Sequence, residues 1–260
     1  VQQCRDELTS QTVAMALYGL QSMGDSQEVP QLVAALADKV RVSRSSTANR
    51  GAALLDLRAK LRPSSVTIEE IFPPLLDEAI ERWEALPGPV QRTRAAFTDG
   101  SMYFPETPFA RCGYSVHFPL DDGEDPVVVS FGGPLPGEYQ DINRAELFAA
   151  MKLLVSVTNF NVQWYSDSKY TIQGILQLLE NPVQEALTDR SNVCRDMWVM
   201  AAEIVTHFNR FFKIECQYVP AHVDAEEVGS RITRFEFEGN EAADNAAKKG
   251  ARMHSDFIEV

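Results

Sequence analysis

Apolar residues recur at helical spacing through the first third of the chain. Val13, Ala16, Leu17 and Leu20 fall at i, i+3, i+4, i+7, and Leu54, Leu57 and Leu61 share one face of a second segment. A third segment has clearer ends. Thr67 with Glu70 forms a capping-box pattern, Pro73-Pro74 interrupts, and Leu76, Ala79, Ile80 and Trp83 resume the repeat. Together these predict a small helical bundle that carries no evident chemistry. Leu86-Pro-Gly-Pro89 and the following Val90-Gln-Arg-Thr-Arg94 stop helices and expose backbone, so a linker is expected near 86–94, closing a helical N-terminal extension of residues 1–94.

After the linker the period shortens. Ala95–Thr98, Cys112–Phe118 and Val127–Phe131 read as strands separated by turn-rich stretches holding Pro105, Pro108, Asp121-Asp122-Gly123 and Gly132-Gly133-Pro134. Asn143–Val157 then reads as a helix with Leu147, Ala150, Met151 and Leu154 on one face. Val162–Tyr165 is a fourth strand, and Ser168–Leu179 is a helix with Ile172, Ile175, Leu176 and Leu179 inward. A further helix carries Met197, Met200, Ala201, Ile204 and Phe208, a fifth strand runs near Phe212–Val219, and a short helix follows Gly239 through Lys249. The order β-β-β-α-β-α-α-β-α predicts an α/β domain over 95–252: a mixed five-stranded sheet with flanking helices, preceded by the helical region and followed by a tail at 253–260.

Composition narrows what such a domain can do. At 45% hydrophobic and 23% charged residues, the chain of 260 can bury a sizeable core, and no apolar run approaches the roughly 20 residues of a spanning helix. No membrane association is expected. The 24 basic and 37 acidic residues give −13, which excludes nucleic-acid binding through bulk positive charge alone. Any polyanion must be held by a metal or by a local patch. Cys4, Cys112, Cys194 and Cys216 lack a CxxC pair or a zinc-finger histidine, so they are expected as free thiols in a reducing, intracellular setting.

Four acids stand at element ends. Asp99 follows an apolar strand and precedes Gly100, so its carboxylate is expected where the strand ends and the backbone turns. Asp167 stands between the fourth strand and the next helix, where it would also serve as an N-cap. Glu146 in the first turn after Asn143, and Asp244 one turn into the last helix, would also suit the helix dipole. Were the four to converge, their mutual repulsion would drive some to take up protons unless divalent ions neutralised them. Hard oxygen ligands select magnesium or manganese over zinc. That set suits two-metal phosphodiester hydrolysis, in which two ions about 3.5 to 4 Å apart act on attacking water and leaving oxygen.

The residues then match a family. Thr98-Asp99-Gly100-Ser101, Asn143-Arg144-Ala145-Glu146-Leu147, Tyr165-Ser166-Asp167-Ser168-Lys169-Tyr170, Val219-Pro220-Ala221-His222 and Gly239-Asn240-Glu241-Ala242-Ala243-Asp244 occur in the order seen in type I ribonuclease H, cellular or retroelement. The chain resembles that family over about residues 95–252. The resemblance implies a ribonuclease H-like fold and a metal-dependent endonuclease that cuts the RNA strand of RNA–DNA hybrids. It makes Asp99, Glu146, Asp167 and Asp244 ligands of two magnesium ions, with manganese as a substitute. His222 corresponds to a mobile-loop histidine that assists proton movement or product departure, a role suited to an imidazole near its ordinary pKa. Asn143 matches a minor-groove contact, where the 2′-hydroxyl marks RNA. Gly100, Ser101, Ser168 and Lys169 are further substrate-contact candidates, and Lys169 reads equally well as an exposed helix lysine. His117, His207 and His254 are read as structural or surface residues.

Three features depart from the family. Asp141 and Ile142 stand where Thr and Asn are usual, removing a polar phosphate and groove contact. Residues 180–196 keep the length of a basic protrusion but carry Glu180, Glu185, Asp189 and Asp196 against Arg190 and Arg195. The 21 residues between His222 and Asp244 exceed the usual loop, and their insertion around Glu226 to Phe237, which adds acids with Phe235 and Phe237, reads as a lid, a partner-docking strip or, the expected case, excess loop. Accessory binding is then expected from the helical half, or from a reverse transcriptase or other polyprotein partner, with the chain itself monomeric. The alternative is a non-catalytic ribonuclease H-like scaffold that binds protein or nucleic acid.

Overall fold

A computed structural model describes residues 66–105, 110–119, 129–181, 192–221 and 223–254. The expected helical segments before Thr67, and His222, lie outside them. The chain divides between Arg62 and Pro63, and every described element falls in the unit Pro63–Phe257.

The first described element corrects the expected organisation. Helix α1 (Ile68–Glu84) runs unbroken through Pro73 and Pro74, and its start is capped by Glu70 Oε2, which accepts from the Thr67 N–H at 2.8 Å. Each proline forgoes a backbone hydrogen bond. The compensation is burial of Ile68, Phe72, Leu76, Ala79 and Trp83, the larger of which contribute about 1.5–3 kcal/mol each. Trp83 meets Phe208 and Phe212 edge-on, with ring centroids at 5.8 and 5.6 Å, and its indole N–H donates to Val157 O at 2.8 Å. The helix therefore shares the core of the sheet domain. Residues 86–94 join two parts of one unit and do not bound it.

The five strands are β1 (Thr93–Tyr103), β2 (Arg111–Phe118), β3 (Val129–Pro134), β4 (Asn161–Ser166) and β5 (Ile214–Tyr218), in the order β3-β2-β1-β4-β5. β1–β2 and β2–β3 are antiparallel, and β1–β4 and β4–β5 are parallel. This is the expected mixed sheet. β1 is longer than expected, however, and Asp99 lies within it opposite Ser115. The strand runs on because Gly100, Ser101, Met102 and Tyr103 still pair with Tyr114, Gly113, Cys112 and Arg111. On its other side β1 loses its neighbour early, since pairing with β4 stops at Phe97↔Tyr165. Asp99 thus borders the crevice beyond the carboxyl end of β4, the place where open α/β sheets receive ligands.

Helices α2 (Ile142–Ser156), α3 (Lys169–Glu180) and α4 (Arg195–Phe208) form one layer, with α1 against α2 and α4, while α5 (Arg234–Arg252) packs on β1, β2 and β3. α5 begins earlier than Gly239. Thr233 caps it, donating its N–H to Glu236 Oε2 at 2.9 Å and accepting from Glu236 N–H through Oγ1 at 3.2 Å. The segment before it is folded and not excess loop: Ala225–Glu227 makes a 3-10 turn, and Val228 bridges Ile232. Ile232 joins Phe97, Tyr165, Val219 and Ala243 in a second apolar cluster, with the Phe235 ring 5.5 Å from Phe97 and 5.8 Å from Tyr165. Among the described residues no helix is long and apolar enough to cross a membrane. The thiols of Cys112, Cys194 and Cys216 are free, the first two buried.

Candidate active site

Glu146 reaches the crevice because of how α2 starts. Asp141 is the N-cap, its carboxylate accepting from the N–H groups of Asn143 at 2.9 Å and Arg144 at 3.4 Å. The departure from the family pattern is thereby given a local use, satisfying donors that a helix start leaves unpaired. Arg144 anchors the same turn. Its guanidinium donates to both oxygens of Asp196 at 2.6 and 2.7 Å and to Val193 O at 3.0 Å, tying α2 to the start of α4. Gly100 allows β1 and α2 to approach, because a Cβ there would stand 2.8 Å from Glu146 N. Asp167 follows β4 directly. Ser168, and not Asp167, caps α3, its Oγ accepting from Thr171 N–H at 3.3 Å.

The outcome is a tight group of three acids. Asp99, Glu146 and Asp167 each bring a carboxylate oxygen within 4.8 Å of the others. Asp99 and Glu146 are 4% and 6% exposed, and Asp99 Oδ2 and Glu146 Oε2 are buried without a hydrogen-bond partner among the described residues. Burial, followed by the charges of Asp167 and Asp244, pushes the Asp99 carboxyl well above the ordinary range, against a weaker pull from a Gly100 backbone hydrogen bond and Lys248. Burial, followed by the charges of Asp99 and Asp167, does the same to Glu146. Buried oxygens without donors, in a hard-oxygen set, fit a divalent cation.

Asp244 sits differently. It lines the same pocket of about 430 Å³ as Asp99, Glu146 and Asp167, but stands outside the close group and pairs with Lys248 at 2.5 Å. Of the substrate-contact candidates, Gly100, Asn143 and Ser168 line this pocket. Ser101 does not. It is 8% exposed within β1, opposite Gly113. Lys169 is also outside the lining, its ammonium 4.7 Å from the centre of the Tyr218 ring. Sequence reasoning passed over Asn240, Glu241, Ile232 and Phe237, which complete one wall. Their signal was present in the capping pair Thr233 and Glu236, which starts α5 early enough to include Phe237, Asn240 and Glu241, leaving only Ile232 of the four before it.

The profile of the RNase H family matches residues 91–252, more than half of the chain. The chain belongs to the RNase H family. Among solved structures, the native protease-reverse transcriptase of prototype foamy virus is similar at 19% identity and a TM-score of 0.48, over 65% of this chain and 22% of that one. The PFV RNase H domain in solution matches at 21% identity and a TM-score of 0.46, over 63% of this chain and 96% of that one. RNase H1 from the halophilic archaeon Halobacterium salinarum matches at 18% and 0.40, over 61% and 96%. The chain thus spans about a fifth of the foamy virus protease-reverse transcriptase that it matches. No curated protein matches it.

Proposed function

We propose that the chain is a metal-dependent ribonuclease H that hydrolyses the RNA strand of RNA–DNA hybrids. The observation that carries this is the trio Asp99, Glu146 and Asp167, with two buried oxygens that nothing in the described protein satisfies. Membership of the RNase H family supports it. Asp99, Glu146, Asp167 and Asp244 are assigned as ligands of two divalent ions, magnesium by its preference for hard oxygen and manganese as substitute. Bound there, such ions lower the pKa of an attacking water and offset the charge on the departing 3′-oxygen.

The chain's own residues do the rest. Glu146 and Asp99 are held by α2 and β1, and Arg144 with the Asp141 cap anchors the turn that carries Glu146. Asn143, beside Arg144 on the pocket wall, is placed to contact the minor-groove edge of the hybrid, and Ser168 and the Gly100 backbone face the same space. Lys169, next to Ser168, is assigned a phosphate contact at the rim. His222 is assigned the handling of protons near the leaving group, a role that an imidazole can fill. Neutralisation by the ions also explains how a chain of net charge −13 accepts a polyanion.

The test is direct. The full chain is incubated with labelled RNA–DNA hybrid, duplex RNA and duplex DNA, with magnesium and with chelator, beside Asp167→Asn. Cleavage confined to the RNA of the hybrid, dependent on magnesium and lost in the variant, is expected. Cleavage of every duplex alike, or cleavage indifferent to the substitution, overturns the assignment.

A further inference from the structure

Helix α2 carries Glu146 near its start and ends without the glycine or the basic residue that commonly closes a helix. Its last turn holds no cation, and Val157 follows in an extended conformation. The final carbonyls of a helix have no partner within it. Here Ser156 Oγ donates to Leu153 O at 2.7 Å, and Val157 N–H donates to Leu154 O at 3.3 Å. Two further acceptors are met from α1. Arg82 donates to Val155 O at 2.7 Å, and the Trp83 indole N–H donates to Val157 O at 2.8 Å. The guanidinium supplies the positive charge that the C-terminal end of α2 lacks.

The same helix reaches α2 beside Glu146. Phe148, two positions on, is buried and meets Phe72 of α1 edge-on, with ring centroids at 5.1 Å, and Tyr114 of β2 at 4.5 Å. Val66, just before α1, runs beside the loop that leads into the Asp141 cap, its carbonyl oxygen 3.8 Å from where a Cβ on Gly137 would stand. Both ends of α2 are thus braced by α1, and Arg144 with Asp196 ties α2 to α4, on which Trp83 also packs through Phe208. The brace has leverage. Glu146 stands nine residues before Val155, about 13 Å along the helix, so a tilt of about 5° at that end moves it by about 1 Å. Ligand distances at a metal are held to about 0.2 Å.

Helix α1 lies outside the stretch 91–252 that the family profile covers. We propose that it is nonetheless part of the catalytic unit of this chain, with Arg82 and Trp83 as positioning residues that hold α2 so that Glu146 keeps its place beside Asp99 and Asp167. That role rests on the ribonuclease H reading above and extends it to residues outside the family match.

It is tested in the full chain, well below the unfolding transition, with Arg82→Met and Trp83→Phe, which keep most of the apolar packing and remove one donor each. Measured are kcat and KM on the RNA–DNA hybrid and, by calorimetric titration, the affinity for magnesium alone. Each variant is expected to lose about tenfold in kcat with KM for the hybrid unchanged, and to bind magnesium about tenfold more weakly, the scale on which groups that orient metal ligands act. Arg82→Lys, which restores a cation and a donor, is expected to recover all but about twofold of the loss. Wild-type kcat and magnesium affinity in both Arg82→Met and Trp83→Phe, even with lowered stability to denaturant, make α1 a stabilising cover only; that result overturns the proposal and leaves the nuclease assignment standing. Absence of hybrid cleavage by the wild type overturns both.

Discussion

Two buried charge clusters lie within one turn of each other on α2, and they are built on opposite terms. Arg144 is balanced from within: its side chain is 6% exposed and bidentate to Asp196. Burial would raise the Asp196 carboxyl, but the Arg144 hydrogen bond and charge hold it below the ordinary range. Glu146 and Asp99 have no such counterpart, and burial together with like charges drives both carboxyls upward. The first cluster pairs its charge internally and fixes helices, with only Arg144 Nε buried without a partner among the described residues. The second leaves negative charge and two empty acceptor atoms facing a pocket, which is what a cation-dependent site requires and what a purely structural site avoids.

The largest effect that would sharpen this contrast is on catalysis. Glu146→Gln keeps the shape and removes the charge, and is expected to lower kcat on the hybrid by on the order of a thousandfold in magnesium. A loss under tenfold would mean that the trio is not the reacting centre.

The next effect falls on the balanced cluster. Arg144→Ala leaves Asp196 without its cation, and unfolding measured by denaturant should show a loss of about 2–3 kcal/mol. That is below the ~3–5 typical of fully buried pairs, because Asp196 can regain water. Asp99→Asn should act in the other direction, raising stability in chelator by about 1 kcal/mol, or about 2–4 °C in Tm.

The two clusters should also differ in the sign of their pH dependence. A raised carboxyl contributes stability that is full below its unfolded pKa and is lost as pH rises through the folded value. The stabilisation of metal-free Asp99→Asn over wild type should therefore grow as pH rises above about 4, the unfolded value. A lowered carboxyl contributes stability that is present above its unfolded pKa and is lost as pH falls through the folded value. The deficit of Asp196→Asn should accordingly shrink in acid. Thermal unfolding followed from about pH 2 to neutrality checks both, and parallel curves would erase the contrast.

Smallest of all is the half-buried pair on α5. Lys248→Ala, which frees Asp244, is expected to change stability by under about 1 kcal/mol.

How much of this was legible from the chain depended on whether a residue's role was local. The order of strands and helices followed from apolar periodicity, because that pattern records which face each element buries. The three close acids were legible as residues at or near strand exits and helix starts. Asp99 was placed at a strand end, however, because nothing local shows that Ser101–Tyr103 still find partners on β2 while β4 has already stopped. Helix α1 was assigned to a separate bundle because its own sequence cannot show that Trp83 finds Phe208 and Phe212. A proline pair that argues for a break was outweighed by that tertiary packing. The early start of α5 was, by contrast, written in the sequence. Thr233 and Glu236 form the same capping box that marked Thr67 and Glu70, and overlooking it turned a pocket wall into an expected loop.

The claim beneath the whole account is that Asp99 and Glu146 stay unpaired so that divalent cations can pair them. It is tested by the Tm of the full chain at about pH 7.5 in chelator and in rising magnesium. Cations that bind only the folded protein should raise the wild-type Tm by about 5–10 °C when present at about a hundred times their dissociation constant. The double variant Asp99→Asn, Glu146→Gln should start higher in chelator and not respond. A wild-type Tm indifferent to magnesium, or one that climbs equally in the double variant, would contradict it.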